Sequence, residues 1–257
     1  MIALPPELIS TLSEALRDLF VVFLRVSAMV SVLPAFGERS VPTRVKLALA
    51  GAFTLIVAPA VDPGAPVAGL LPYARLAGTE ILVGLALGLG LRLFVLALQT
   101  AGSIAAQATS LSQILGGAAV EPVPAMGYIL VTAGLALAVM AGLHVRVAEF
   151  LIRSYELFPA GTLPGAADLS RWGVGRVARM FALAFALAAP FVIASLVYNL
   201  ALGAINRAMP QLMVAFVGAP VITFGGLFLL FVGAPLILSV WSDALLGFLD
   251  DPLGRTR

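Results

Sequence analysis

The 257-residue chain has no cysteine, a single histidine (His144) and few charges: Asp, Glu, Lys and Arg make up 11% of it, against roughly 25% in a soluble protein. Without cysteine there can be no disulfide scaffold, thiol nucleophile or thiolate zinc site. The shortage of charge, with 61% hydrophobic residues and a mean hydropathy of +1.08, excludes a water-soluble globule. Its outer surface must face lipid or partner subunits. Fifteen basic and 13 acidic residues leave a formal charge of +2, so the pI near 9.4 reflects scarcity of charge rather than a basic surface. Nothing here favours nucleic-acid binding.

Catalytic signatures are missing as well. There is no H-E-x-x-H, no G-x-S-x-G and no P-loop, and no two aspartates share an apolar span, so neither proteolysis nor nucleotide hydrolysis is expected. Gly173, Gly175 and Ala178 match the dinucleotide fingerprint in form, but they follow no strand and open no βαβ unit. His144 reads as a packed or interfacial residue at a helix end rather than a proton relay. The chain is expected to be non-enzymatic, with no cofactor and no metal.

What the chain does have is apolar length. A helix needs about 20 mostly apolar residues to cross a bilayer, because it alone satisfies its own amides there. Six stretches qualify: Leu12 to Leu33, carrying Arg25; Val45 to Val61, closing at Pro59; Leu76 to beyond Arg92; Met126 to Val145; Met180 to Asn206; and the charge-free run from Arg207 to Asp243. The last two read as a hairpin. Residues Met1–Thr11 lack a basic region and carry Pro5, Pro6 and Glu7, so no cleavable leader is expected. Repeats, heptads and low-complexity tails are not evident.

The loop Pro34–Lys46 holds Arg39, Arg44 and Lys46 against Glu38, which places it, and Arg207 with it, in the cytoplasm. Six crossings then leave both termini outside. Residues 145–179 disagree, with Arg146, Arg153, Arg171, Arg176 and Arg179 on the outer side; their amphipathic stretches are expected to lie on a surface.

Helix breakers recur inside the spans: Gly84, Gly88 and Gly90 in the third, and Pro210, Pro220, Gly225, Gly226 and Pro235 in the last. Broken backbone at membrane depth must be covered by protein or line a wet cavity, so the chain is expected within a larger assembly. Gly84 and Gly88 form G-x-x-x-G, which permits close helix packing against a partner the sequence does not identify. Arg25, Glu80 and Arg92 are the charges deepest in apolar sequence and read either as inter-subunit pairs or snorkelling side chains, or as an ion-coupling site in a transporter. Between Gln107 and Met126 the sequence QATSLSQILGGAAVEPVPAM cannot be helical throughout, since Gly116, Gly117, Pro122 and Pro124 interrupt its second half. It fits a plain connection or a re-entrant loop equally well.

Two runs are specific. Glu38-Arg39-Ser40-Val41-Pro42-Thr43-Arg44-Val45-Lys46-Leu47, and Asn199-Leu200-Ala201-Leu202-Gly203 continuing through Asn206-Arg207-Ala208-Met209-Pro210-Gln211-Leu212, resemble the FliR family. These are membrane subunits of the flagellar type III export gate, homologous to the T subunit of virulence type III secretion systems. The likeness in length, span order and both runs covers nearly the whole chain. It implies an all-α membrane protein of the bacterial inner membrane, at the flagellar basal body, with about six partly broken spans.

The resemblance implies three parts: 1–145 like FliP, 146–179 a connection, and 180–242 a hairpin like FliQ. Partners would be FliP and FliQ subunits, an FlhB-like switch protein and unfolded protein substrates. By position, a channel plug would comprise Ser110, Leu111, Ile114, Leu115, Gly116, Gly117, Val120, Glu121, Pro122 and Pro124. Partner contacts or the hairpin turn would use Glu38, Arg39, Pro42, Arg44, Asn199, Asn206, Arg207, Pro210 and Gln211. Family members often carry Asn-Gly-His near Ala141–His144; here the glycine stays and the histidine is shifted, so no role passes to His144. The rival class, a small-solute secondary transporter, would show inverted repeats around midplane charges, and none is found.

Overall fold

The computed structural model describes residues 5–38, 41–64, 69–110, 125–209 and 214–253, which are helical almost throughout, with no strand among them. Seven α-helices follow in order: α1 (Pro6–Val32), α2 (Thr43–Val57), α3 (Leu70–Ser110), α4 (Ala125–Met140), α5 (Leu143–Leu157), α6 (Ala166–Ala208) and α7 (Val214–Asp250); a 3-10 turn, Ala58–Ala60, extends α2.

Proline sets several of these bounds. Pro6 opens α1 where an amide hydrogen has no partner to lose, and Pro34 stops it by disfavouring helical backbone at Leu33, which is extended with ψ 134°. After it, Gly37 is required: a Cβ there would fall 2.7 Å from the backbone nitrogen of Leu33. Pro42 precedes α2, whose far end carries Pro59 within the 3-10 turn. Between α4 and α5, Gly142 takes a left-handed φ of 81°, which breaks the helical path at little strain because it has no Cβ.

Four helices among the described residues have the length and composition to cross a membrane: Thr43–Ala60, Leu70–Thr109, Ala166–Ala208 and Pro220–Asp250; α4 and α5 would supply a fifth as one broken span. The sixth apolar stretch is α1, in which any 18-residue window holds at least three charged residues, Arg17 and Asp18 always among them.

Three expectations change. First, the glycines of α3 and, in α7, Pro220, Gly225, Gly226 and Pro235 lie inside continuous helices; Pro210 lies outside the described residues, and among those described the breaks fall at Ala58–Ala60 and at Gly142. An internal proline removes one backbone bond and kinks a helix, but the remaining ladder carries it on. Secondly, residues 145–179 are helical rather than a plain loop, and residues 161–179 are all exposed or half-buried. They are largely α5 and the start of α6, and α5 buries Leu143, Val147, Phe150, Leu151, Ser154 and Tyr155 along one face. Thirdly, α6 begins at Ala166, well before Met180, because arginines are good helix formers although they depress hydropathy.

The chain divides into two compact units that share helices: residues 1–92, 139–175 and 247–257 in one, and 93–138 with 176–246 in the other. The first has a core of Val22, Val26, Met29, Leu91, Val147 and Leu151, all at 0% exposure. Residues 248–252 are held by Phe150 against Phe248, ring centroids 5.7 Å apart, and by the Trp172 indole N–H, which donates to the Pro252 carbonyl at 3.0 Å. The second unit centres on Trp241, which donates to the Phe94 carbonyl at 2.8 Å and packs where Gly134 leaves room. Long apolar side chains remain outside, among them Phe224, Phe231 and Leu200, as lipid- or partner-facing surface requires.

Candidate functional site

Two side-chain constellations stand out, one in each unit. In the first, Arg25 of α1 and Glu80 of α3 are completely buried. The guanidinium grips the carboxylate twice, Nε to Oε2 at 2.8 Å and Nη2 to Oε1 at 3.1 Å, the fork geometry that suits this pair. Nη2 also donates to the Phe158 carbonyl at 2.9 Å, and Nη1 donates to Ser154 Oγ at 3.2 Å. Ser154 is free to accept because its own hydrogen goes to the Leu151 carbonyl at 2.6 Å. Glu80 receives two further donors, the Gly161 amide at 3.0 Å and the Tyr155 hydroxyl at 3.4 Å. The Tyr155 ring lies 3.7 Å from Arg25 Cζ, a cation–π contact. These charges are therefore paired within the chain rather than between subunits.

The third deep charge, Arg92, is also paired: it meets Glu38 at 2.6 and 3.2 Å. Nearby, Lys46 donates to the Gly37 carbonyl at 2.8 Å, which ties the start of α2 to the preceding loop. Close packing is settled in the same unit. A Cβ on Gly84 would strike the Arg25 carbonyl, and one on Gly88 would fall 2.5 Å from Val32 Cγ2 and 2.9 Å from the Met29 carbonyl. The G-x-x-x-G face of α3 thus lies against α1 of the same chain.

In the second unit, the end of α3 is held by α6. Ser195 Oγ donates to the Ala108 carbonyl at 2.6 Å, and Asn199 Nδ2 donates to Ser195 Oγ at 3.1 Å. Ala108 lies in the last described turn of α3, so Ser195 ties that turn to α6. Gly226 leaves room for the Thr109 side chain, and Gly102 packs directly on Gly127. Both ends of the interval from Ser110 to Pro124 are therefore anchored, although Leu111, Ile114, Leu115, Gly116, Gly117, Val120, Glu121, Pro122 and Pro124 lie outside the described residues.

Of the residues expected at partner contacts, Pro42 and Arg44 are exposed at the start of α2, and Asn206 and Arg207 are exposed at the end of α6. Arg39, Pro210 and Gln211 lie outside the described residues. Glu38 and Asn199 serve internal bonds. His144 is exposed, and Gly173 and Gly175 lie inside α6 rather than in a phosphate loop. Sequence reasoning missed Ser154, Tyr155, Gly161 and Ser195; only the rarity of a polar residue in the apolar stretch around Ser195 gave any signal. Among the described residues, no group of His, Asp or Glu side chains could hold a metal ion.

Comparison with known proteins identifies the family. The family model "Bacterial export proteins, family 1" matches residues 16–247. The flagellar biosynthetic protein FliR of Caulobacter vibrioides is 36% identical over 235 residues, covering 89% of this chain and 93% of that protein. FliR of Escherichia coli is 33% identical over 219 residues, 83% of each chain, and FliR of Bacillus subtilis is 28% identical over 216 residues. With the match spanning all but the ends and an all-α membrane architecture beneath it, the chain belongs to family 1 of the bacterial export proteins, the FliR family.

Proposed function

We propose that this chain is the membrane subunit of the flagellar type III protein export gate that joins FliP and FliQ subunits around a channel for unfolded flagellar proteins, in the bacterial inner membrane at the flagellar basal body. The observation that carries the reading is the family match over residues 16–247, in which the relatives are named as flagellar biosynthetic proteins rather than as virulence components. Exposed aromatic and aliphatic side chains along α6 and α7 offer the broad apolar surface that such an assembly would cover. The role is transport rather than catalysis, with energy supplied by other components.

In this reading Ser110–Pro124 plugs the closed channel. Residues 107–120 carry no charge, so they could block a passage without binding its substrates tightly, and the bonds of Ser195 and the packing of Thr109 hold the root of that stretch. An FlhB-like switch protein would contact the exposed Arg44, Asn206 and Arg207. The transporter alternative loses its candidate coupling site, since Arg25, Glu80 and Arg92 are each occupied by internal pairs.

Affinity purification of the tagged chain from its native membrane tests the proposal. Two small membrane proteins that stay bound through detergent extraction and gel filtration are the expected result. A companionless monomer that binds a small solute would overturn it.

A further inference from the structure

The Arg25 constellation holds more than a salt bridge. Arg25 uses four of its five N–H groups, and Glu80 accepts four hydrogen bonds. The two charges come from α1 and α3, but the remaining partners all come from a later part of the chain: Ser154 and Tyr155 on α5, then the Phe158 carbonyl and the Gly161 amide in the turn between α5 and α6. The two backbone partners are the informative ones. A fully buried carboxylate and guanidinium need partners for their remaining lone pairs and N–H groups, and here two of those partners are main-chain groups of a single turn. Here Arg25 takes a carbonyl and Glu80 an amide three residues apart, so the turn is gripped at both of its edges.

The turn's own sequence fits such a grip. Gly161 has a left-handed φ of 71°, and a Cβ there would fall 2.9 Å from Leu76 Cδ1 of α3; the residue is thus shaped both to present its amide and to lie close on α3. Thr162 closes the same turn by donating to the Pro159 carbonyl at 2.6 Å. Four residues further on, α6 begins.

We propose that Arg25 and Glu80 form an interlock whose role is to hold the α5–α6 turn, Phe158–Gly161, against α1 and α3. Neither residue is a coupling or proton-carrying group. Both are sealed at 0% exposure, and every carboxylate oxygen already has two donors. A buried charge pair stabilises a fold little in itself, since well-packed apolar residues of similar volume often do as well; what such a pair can fix is one arrangement over its alternatives. The order of the chain adds a consequence. Until residues 154–161 have been made, Arg25 and Glu80 have only each other, and their other donors and acceptors are stranded in apolar surroundings. The early helices therefore reach their final packing only when the late turn docks.

Because the chain has no cysteine, the turn can be followed without background. In the full chain, expressed in its native membrane with its natural companions, Leu76→Cys and Ala160→Cys are joined by a short bis-maleimide. The crosslink is expected in the otherwise unchanged protein. It should be lost in R25Q and in E80Q, and weakened in R25K, whose single ammonium cannot reach Glu80 twice and Phe158 as well. The deciding variant is R25M/E80M, which removes both charges and keeps the volume. It should accumulate and resist protease like the parent, yet lose the crosslink. A full crosslink in R25M/E80M overturns the proposal, since the turn would then be held by its apolar contacts alone. Failure of R25M/E80M to accumulate also overturns it, because a pair that only tethers the turn is dispensable to the remaining core once neither charge is stranded.

Discussion

Glu38 and Arg92 meet through two hydrogen bonds although 54 positions separate them. The carboxylate sits in the loop after α1 and the guanidinium midway along α3, and each is about one-quarter exposed. Partial exposure lets water screen the pair, so its net worth is on the order of 1 kcal/mol. Its geometric effect is larger, because it fixes the loop that leads into α2.

Accordingly, Arg92→Gln should lower the thermal stability of the purified protein by about 1 kcal/mol, and Glu38→Gln by a similar amount. The single reversals E38R and R92E should each cost more than this, and the reversed pair E38R/R92E should cost less than their sum. A double variant no better than the sum of the two singles would show that the residues do not act as a pair.

The glycines make opposite predictions according to their neighbours. Alanine in a helix interior is favoured over glycine by roughly 1 kcal/mol, and a Cβ added at Gly51 in α2 would meet nothing within 4 Å. Gly51→Ala should therefore raise the midpoint of thermal unfolding. At Gly84 the same methyl would meet the Arg25 carbonyl, a backbone atom that cannot swing aside. Overpacking costs about 1–3 kcal/mol, which outweighs the gain in propensity, so Gly84→Ala should unfold earlier than the parent. Equal shifts for the two variants would contradict the packing of α3 on α1.

How far these relationships can be read from sequence depends on the distance over which they act. Composition and apolar length suffice for the all-α membrane class, because hydrocarbon allows few alternatives. The oddity of Arg25, Glu80 and Arg92 is equally visible, since a charge inside an apolar run is costly wherever its partner lies. What no local pattern contains is the partner itself: Ser154 lies 129 positions from Arg25, and nothing in its neighbourhood marks it. The same limit hid the partner of Gly84 and Gly88. Helix ends failed for another reason. Hydropathy measures preference for lipid rather than for helix, so Arg171, Arg176 and Arg179 concealed the first turns of α6, while Pro220 and Pro235 suggested breaks that the surrounding backbone bonds override.

Ser195 offers a sharper test of the second unit. Its hydroxyl donates to the Ala108 carbonyl in the last described turn of α3, and both residues are buried. Replacing it by alanine removes that bond, worth about 1 kcal/mol net, and frees Asn199 from its bond. Ser195→Ala should therefore speed amide exchange at the C-terminal turn of α3, measured by hydrogen exchange, with little change in α1 or α2. Uniform faster exchange over the whole chain would mean that the bond supports global stability and has no local role at the end of α3.

The proposed plug can be tested by removal. Gly116 to Ala119 are four small residues without charge, so deleting them shortens the stretch without removing any charged group. If this stretch closes the channel, cells carrying the deletion within the assembled gate should leak small ions, read as increased membrane conductance or as sensitivity to a normally excluded solute. Arg207→Glu serves as the companion variant: it reverses an exposed charge at the end of α6 and should weaken motility through partner contacts while leaving conductance unchanged. A deletion strain with normal conductance would remove the plug from the proposal, and a leak in the Arg207 variant would show that closure depends on the far end of α6 as well.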